Sequence, residues 1–140
     1  MTEPFGATFL PLEDLLARSD FVSLHVNLSP ATKHLINAES LSWMKPTAVL
    51  VNTSRGPVVD QVALADALEH DVIYAAALDV TDPEPIPMDD RLVGRDDCLI
   101  VPHIASASRA TRDKMAAMAA ANLLAGVRGE PLPTEVPPPA

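Results

Sequence analysis

Apolar residues cluster in four short runs that are separated by longer stretches of mixed polarity. The runs are nearly continuous in apolar character and rich in Val, Ile, Leu and Ala, which is typical of strands covered on both faces of a sheet. The pattern therefore predicts four buried strands. They occupy residues 21–26, 48–52, 74–80 and 98–101.

The stretches between these runs carry helical spacing and signals for helix ends. Asn37 and Asp60 are suited to begin helices, because their side chains can accept hydrogen bonds from the first backbone N–H groups. A last stretch rich in Ala, Met and Leu favours a long helix that ends at Gly126 or Gly129. The predicted helices cover residues 11–18, 37–44, 61–69 and 109–127.

Two segments are predicted to contain neither helix nor strand. Residues 81–97 hold three prolines and form a long loop, which in compact domains is usually functional or disordered. Residues 130–140 are too rich in proline to continue a helix. We assign residues 1–133 to one domain and residues 134–140 to an extended tail.

Helices and strands alternate along the chain, which predicts an α/β protein with a parallel sheet. In such sheets ligands bind beyond the carboxyl ends of the strands. The polar residues of this chain concentrate there, so we expect the functional residues in four loops. These loops are residues 25–27, 52–56, 79–85 and 102–106.

Composition excludes several classes of function. The formal net charge of −9 argues against a basic patch for phosphate backbones, so we expect no nucleic-acid partner. The single cysteine, Cys98, rules out an internal disulfide, and its apolar neighbours indicate a small buried hydrophobe. No apolar run reaches the roughly 18 residues of a membrane helix, and no secretory signal opens the chain. We therefore expect a cytoplasmic protein that does not bind membranes.

Three residues at predicted strand ends form a candidate catalytic group: Arg55, Glu84 and His103. Arginine presents a planar fork that matches carboxylates, and histidine can give a proton to a developing alkoxide. A carboxylate bonded to one imidazole nitrogen fixes the ring and favours its protonated form. Together these groups suit reduction of a 2-oxo acid, with the hydride supplied by a cofactor.

Each of these residues also has an ordinary structural explanation. Arg55 could form a surface ion pair with Asp60, Glu84 could be a solvated loop charge, and His103 could be a loop histidine after a proline. Spacing alone leaves both interpretations open.

Four ordered motifs surround these residues, at 24–32, 51–56, 78–85 and 101–108. They include Asn-Thr-Ser-Arg-Gly, Asp-Pro-Glu-Pro and Pro-His-Ile. The set resembles the D-isomer-specific 2-hydroxyacid dehydrogenase family, and residues 121–131 are similar to its glyoxylate/hydroxypyruvate reductase branch. The resemblance implies the second half of a doubly wound, Rossmann-type NAD(P)-binding domain with a long C-terminal helix.

The resemblance also implies roles for individual residues. Arg55 matches the family's substrate-binding arginine, His103 its proton donor, and Glu84 the glutamate that pairs with that histidine. The cofactor, NAD or NADP, would lie against five further positions, and no metal is implied. These positions are Asn27, Thr53, Asp79, Ala105 and Ser106. The substrate would be a small 2-oxo or 2-hydroxy acid, and the complete enzyme would be a homodimer.

Some family features differ or are missing. Asn27 stands where many members have proline, and Ala105 where glycine is common. None of the five glycines lies two residues from another, so the Gly-x-Gly-x-x-Gly phosphate-binding fingerprint is absent. We therefore expect a truncated or fragmentary form of the enzyme that binds nucleotide weakly by itself.

Two other functions remain open at the level of sequence. The family fold also serves as a nucleotide-sensing corepressor, so the chain could be a binding module without catalysis. It could also be an inactive remnant of the family. Retention of Arg55, Glu84 and His103 favours an enzyme.

Overall fold

The computed structural model describes residues 6–136, and it contains one four-stranded parallel sheet. The strands lie side by side in chain order. They are β1 (Phe21–Leu24), β2 (Val49–Asn52), β3 (Ala75–Leu78) and β4 (Cys98–Ile100). The predicted α/β class and parallel sheet are confirmed.

Register places the ends of all four strands in one row. Leu24 pairs with Asn52, Asn52 with Leu78, and Leu78 with Ile100. Because the strands are parallel, the loops that follow them all leave from the same edge of the sheet. The structure therefore collects at one edge the four loops in which functional residues were expected.

The described residues also form four helices. They are α1 (Leu12–Arg18), α2 (Ala38–Ser42), α3 (Gln61–Glu69) and α4 (Arg109–Arg128), and a 3₁₀ turn covers Gly56–Val58. Asn37 caps α2 by accepting hydrogen bonds from the N–H groups of Glu39 and Ser40, and the Ser40 hydroxyl accepts a bond from the Asn37 N–H. Asp60 caps α3 by accepting from the N–H groups of Val62 and Ala63. Both predicted caps are present.

The predicted elements differ from the observed ones mainly at their ends. The strands are shorter than the apolar runs, because pairing stops at Leu24 and Leu78 although apolar residues continue beyond them. Helix α4 ends at Gly129 rather than Gly126, since Gly129 adopts the left-handed conformation with φ 68°.

Only one face of the sheet is fully buried, so the prediction of strands covered on both faces was wrong. Val22, Leu50 and Ala76 point into the core, whereas Phe21 and Leu99 on alternate positions are 76% and 63% exposed. Helices α2 and α3 contact each other and contribute to the core. Its largest fully buried side chains include Leu16, Ile36, Leu41, Leu50, Leu64, Leu68, Ile73 and Leu92.

The chain divides after His103 into two compact units. The second unit holds α4, and hydrogen bonds between Asn122 and Thr134 join the following segment back to the helix. No helix follows Arg128 within the described residues, and residues 137–140 of the predicted tail lie outside them. The predicted domain boundary at residue 133 stays a prediction. Among residues 6–136, no helix is both long and apolar enough to cross a membrane.

Gly56 is the point at which the loop after β2 touches the loop after β3. A Cβ atom at this position would lie 1.9 Å from the Thr81 carbonyl oxygen and 2.9 Å from the Asp82 nitrogen. Both contacts are with backbone, which cannot swing away as a side chain can. Only glycine permits this approach.

Gly56→Ala should therefore destabilise the protein by about 1–3 kcal/mol, the usual cost of overpacking a buried site. Urea unfolding would measure the loss. Gly126→Ala is the matched control, because its Cβ would come no closer than 3.7 Å to Leu132. That change should leave stability equal or raise it by about 0.5–1 kcal/mol. Equal stability of the Gly56→Ala variant and the unmodified chain would contradict the close approach.

Cys98 behaves as the buried hydrophobe that the sequence predicted. It is 7% exposed, and burial raises the pKa of its thiol to about 11 from an ordinary value of 9.0. The nearby Asp97 carboxylate acts in the same direction. The folded protein therefore keeps this proton at pH values at which the unfolded chain loses it.

This thiol contributes stability that is fully present below about pH 9 and is lost as the pH rises towards 11. The free energy of unfolding should fall more steeply over this window in the unmodified chain than in Cys98→Val. Other groups titrate equally in both proteins, so the difference in slope isolates the thiol. Identical slopes would show that the thiol is not buried as described.

Candidate active site

The turn after β2 is organised by a buried amide. Asn52 is fully buried, and its Oδ1 accepts hydrogen bonds from the Ser54 N–H (3.0 Å) and hydroxyl (2.8 Å). Its Nδ2 donates to the Arg55 carbonyl oxygen at 3.0 Å. The Asn52 carbonyl oxygen in turn accepts from the Asp79 N–H at 2.9 Å. One residue thus fixes the backbone that carries Arg55 and joins it to the end of β3.

Arg55 lies at the rim of a polar cavity of about 510 Å³. Its Nη1 donates to the Ser54 carbonyl oxygen at 2.6 Å. His25, Asn27 and Thr53 line the same cavity. Asp60, the alternative surface partner considered for Arg55, caps α3 and lies 4.0 Å from His34. The side chain of Arg55 is therefore placed where it can meet an anion in this cavity.

His103 and Glu84 form a direct pair. The His103 Nδ1 lies 2.7 Å from the Glu84 Oε1, and each side chain is a little under half exposed. The backbone of His103 is left-handed, with φ 52°, and its N–H bonds to the Val101 carbonyl oxygen at 3.0 Å. Such a conformation costs energy in a residue other than glycine and is often found at functional sites. Because Nδ1 faces the carboxylate, Nε2 is the nitrogen that can serve a substrate.

The His103–Glu84 pair borders a second cavity, of about 410 Å³. Its walls are mainly apolar, from Pro85, Ile86 and Ile100. The buried residue Asp79 also lines it. An apolar cavity with a few polar groups at its rim is typical of a small-molecule site.

The structure brings together some of the predicted site residues and separates others. Asp79, Glu84 and His103 line the apolar cavity, whereas Asn27, Thr53 and Arg55 line the polar one. Ala105 and Ser106 belong to the second unit. There they form the middle of a turn closed by a bond from the Ala107 N–H to the Ile104 carbonyl oxygen, shortly before the Ser108 cap of α4.

The loop that carries Glu84 is held to α3 by several contacts. Gln61 bonds to Asp82 and Asp90, and Arg91 pairs with Asp66 and Glu69. The hydrogen bond from Arg91 holds the pKa of Glu69 below its ordinary value. The Arg91 pairs are exposed and contribute little to stability by themselves.

Sequence reasoning missed Asn52 and Gln61 as residues that position the site. Asparagine at the end of a buried strand, shortly before Ser-Arg, was a signal for the first, since a buried amide needs partners. Nothing local pointed to the second, because its partners lie more than 20 residues away. Among residues 6–136, no group of three or more His, Cys, Asp or Glu side chains is arranged to hold a metal ion.

Comparison with known proteins identifies a family. Residues 1–105 match the family described as D-isomer specific 2-hydroxyacid dehydrogenase, NAD binding domain. The glyoxylate reductase of Korarchaeum cryptofilum is 55% identical over 125 residues, which are 89% of this chain and 38% of that protein. The glyoxylate reductase/hydroxypyruvate reductase of Homo sapiens is 48% identical over 132 residues, 94% of this chain and 40% of the relative. The chain thus spans about two fifths of the length of these relatives.

A crystal structure from Sinorhizobium meliloti is similar throughout most of the chain. It is an NADPH-dependent glyoxylate/hydroxypyruvate reductase in complex with NADP and malonate. The TM-score is 0.83 at 34% sequence identity, and the match covers 89% of this chain and 39% of that one. The similarity therefore includes the fold as well as the sequence.

Replacing Asn52 should disturb the turn that carries Arg55. Asn52→Leu removes the amide and leaves the Ser54 N–H, the Ser54 hydroxyl and the Arg55 carbonyl oxygen without this partner. Each buried group left unsatisfied costs about 1–3 kcal/mol, and urea unfolding would measure the sum. Ser54→Ala is the control, because it removes the hydroxyl bond alone and should cost about 0.5–1.5 kcal/mol. If Asn52→Leu is no less stable than Ser54→Ala, the amide does not organise the turn.

Proposed function

This chain belongs to the D-isomer specific 2-hydroxyacid dehydrogenase family, and we propose that it supplies the catalytic groups of a reductase for small 2-oxo acids. Glyoxylate and hydroxypyruvate are the proposed substrates, with NADH or NADPH as reductant. The observation that carries the proposal is the 2.7 Å pair of His103 and Glu84 at the rim of a cavity that Asp79 also lines. The activity is assigned to the complete protein, of which this chain spans a part.

The residues present fit the nicotinamide half of the cofactor. The 410 Å³ cavity has apolar walls for a flat ring and the carboxyl group of Asp79, which can accept a hydrogen bond from a carboxamide. The polar cavity, with Asn27 and Thr53, offers groups suited to a ribose and a phosphate. The backbone of Ala105 and Ser106 is proposed to run beside the nicotinamide. The phosphate-binding glycine motif is not among the residues of this chain.

Arg55 is proposed to hold the carboxylate of the substrate. Its guanidinium stays charged and can bind a carboxylate through two parallel hydrogen bonds. A positive group at this place also draws electron density from the neighbouring carbonyl, which makes that carbon more electrophilic. The malonate complex of the Sinorhizobium meliloti reductase supports a site of this kind for small carboxylates.

His103 is proposed to complete the reduction as the proton donor. The nicotinamide, when bound, supplies the hydride that adds to the 2-carbon of the substrate. As the carbonyl oxygen gains negative charge, the Nε2–H of His103 gives it a proton, and the product is a 2-hydroxy acid. Glu84 holds the ring through Nδ1 and stabilises the charge of the imidazolium before the transfer.

The oligomeric state, cellular location and partners of the complete protein are part of the same proposal. We propose a homodimer in the cytoplasm that acts on small molecules. The formal net charge of −9 supports the absence of a nucleic-acid partner, because the chain repels phosphate backbones.

A full-length test protein can be made by putting this chain in place of the corresponding segment of the Korarchaeum cryptofilum glyoxylate reductase, which is 55% identical to it. We call this protein the chimera. It should oxidise NADH or NADPH in the presence of glyoxylate or hydroxypyruvate. His103→Gln in the chimera should lower kcat by about 10²–10⁴, the usual effect of losing a general acid.

His70→Gln is the matched control, because His70 lies at the end of α3 and its ring bonds to the Asp66 carbonyl oxygen. This variant should keep the kcat of the chimera. A His103→Gln chimera with undiminished kcat would remove His103 from the mechanism. A folded chimera that reduces no 2-oxo acid would overturn the proposed function itself.

A further inference from the structure

Gln61 joins the two ends of the loop that carries Glu84. It is the first residue of α3, and its Oε1 accepts a hydrogen bond from the Asp82 N–H at 3.1 Å. Its Nε2 donates to the Asp90 Oδ2 at 2.8 Å. The other oxygen of that carboxylate, Oδ1, accepts from the N–H of Leu92 at 2.9 Å. One side chain therefore pins residues 82 and 90, on either side of Glu84.

The direction of these hydrogen bonds requires an amide at position 61. A backbone N–H can only donate and an ionised carboxylate can only accept. The group between Asp82 and Asp90 must therefore accept on one side and donate on the other. Glutamine does both, whereas glutamate would set a second carboxylate against Asp90 and alanine would provide neither bond. The arrangement selects glutamine on chemical grounds.

The helix side of this connection is firmly fixed. Asp60 caps α3 directly before Gln61, and Leu64 and Leu68 of the same helix are buried in the core. The loop side is largely exposed apart from Ile86, which packs against the core, and the side chain of Glu84 is 43% exposed. An exposed side chain loses conformational entropy when it is held in one place, so its loop must be anchored if the pair is to persist.

We infer that Gln61 is a positioning residue for the Glu84–His103 pair: by holding residues 82 and 90 to α3, it keeps Glu84 within hydrogen-bonding distance of Nδ1. Its catalytic consequence rests on the proposed function. Two other residues restrain the same loop. The Thr81 hydroxyl donates to the Pro83 carbonyl oxygen, and Arg91 pairs with α3. Of these three residues, Gln61 is the one that bonds to the loop on both sides of Glu84.

The chain offers a matched set of variants. Gln61→Glu keeps the acceptor for the Asp82 N–H, but it places a carboxylate at position 61 against the carboxylate of Asp90, and the two repel each other. Asp90→Asn in the same protein restores a donor, because the new amide at position 90 can turn its Nδ2 towards the carboxylate at position 61 while its Oδ1 still accepts from Leu92. The double variant Gln61→Glu/Asp90→Asn therefore satisfies every group again, with the amide and the carboxylate exchanged.

Two measurements on the 140-residue chain test this inference without cofactor or substrate. Amide hydrogen exchange reports the Asp82 N–H, and ¹⁵N NMR of the imidazole reports the hydrogen bond at the His103 Nδ1. Gln61→Glu should speed Asp82 exchange by about tenfold or more and alter the Nδ1 signal, with little change in thermal midpoint. The double variant should return exchange to within about threefold of the unmodified chain and restore the Nδ1 signal.

An unchanged Nδ1 signal in Gln61→Glu would overturn the inference. So would a double variant as disturbed as Gln61→Glu, because the effect would then not pass through the hydrogen bonds described. A shift of the thermal midpoint that matches the loss of exchange protection would also overturn it, since Gln61 would then serve the whole fold.

Kinetics of the chimera separate this inference from the proposed function. Gln61→Glu should lower kcat by about tenfold, and the double variant should regain most of that loss. If the Nδ1 signal changes in Gln61→Glu and is restored in the double variant, while the chimera reduces no 2-oxo acid, the positioning role stands and the proposed function fails. If the chimera is active but kcat is the same in all variants, the catalytic part of the positioning role is overturned.

Discussion

Each loop that carries a candidate catalytic residue takes its position from the parallel register of the sheet. Leu24, Asn52, Leu78 and Ile100 end their strands in one row, so the following loops leave at a common edge. The three candidate catalytic residues belong to three of these loops. A slip of one residue in any strand would exchange its buried and exposed faces and would shift its loop by about 3.3 Å along the strand direction. The core packing and the candidate site are thus fixed by the same pairing.

Contacts between the loops fix the positions of loop residues that the strand register alone leaves open. Gly56 lets the turn after β2 lie directly against Thr81, and the buried amide of Asn52 holds the backbone of Arg55. Gln61 then ties the loop after β3 to α3. These contacts use backbone groups, side-chain amides and one carboxylate rather than exposed ion pairs, so their hydrogen bonds are directional and less affected by salt. Such contacts suit a site that must hold an imidazole and a carboxylate in one geometry.

The sequence predicts the sheet and the helices well because their signals are local. Asp60 is followed by the apolar face of α3, and the predicted bounds of that helix match the observed ones. The pairing of Glu84 with His103 was reached through resemblance to a family, and the structure brings the two side chains together. The exposed face at Phe21 and the role of Gln61 could not be read in this way. Both depend on what lies opposite in space, which a local pattern does not record.

A crystal structure of this chain would show whether the pair of Glu84 and His103 forms, through the separation of the His103 Nδ1 and the nearest Glu84 carboxylate oxygen. We expect a hydrogen bond close to 2.7 Å, with Nε2 directed to the apolar cavity. A ring turned into bulk solvent or into the core, with neither nitrogen within hydrogen-bonding distance of Glu84, would contradict it.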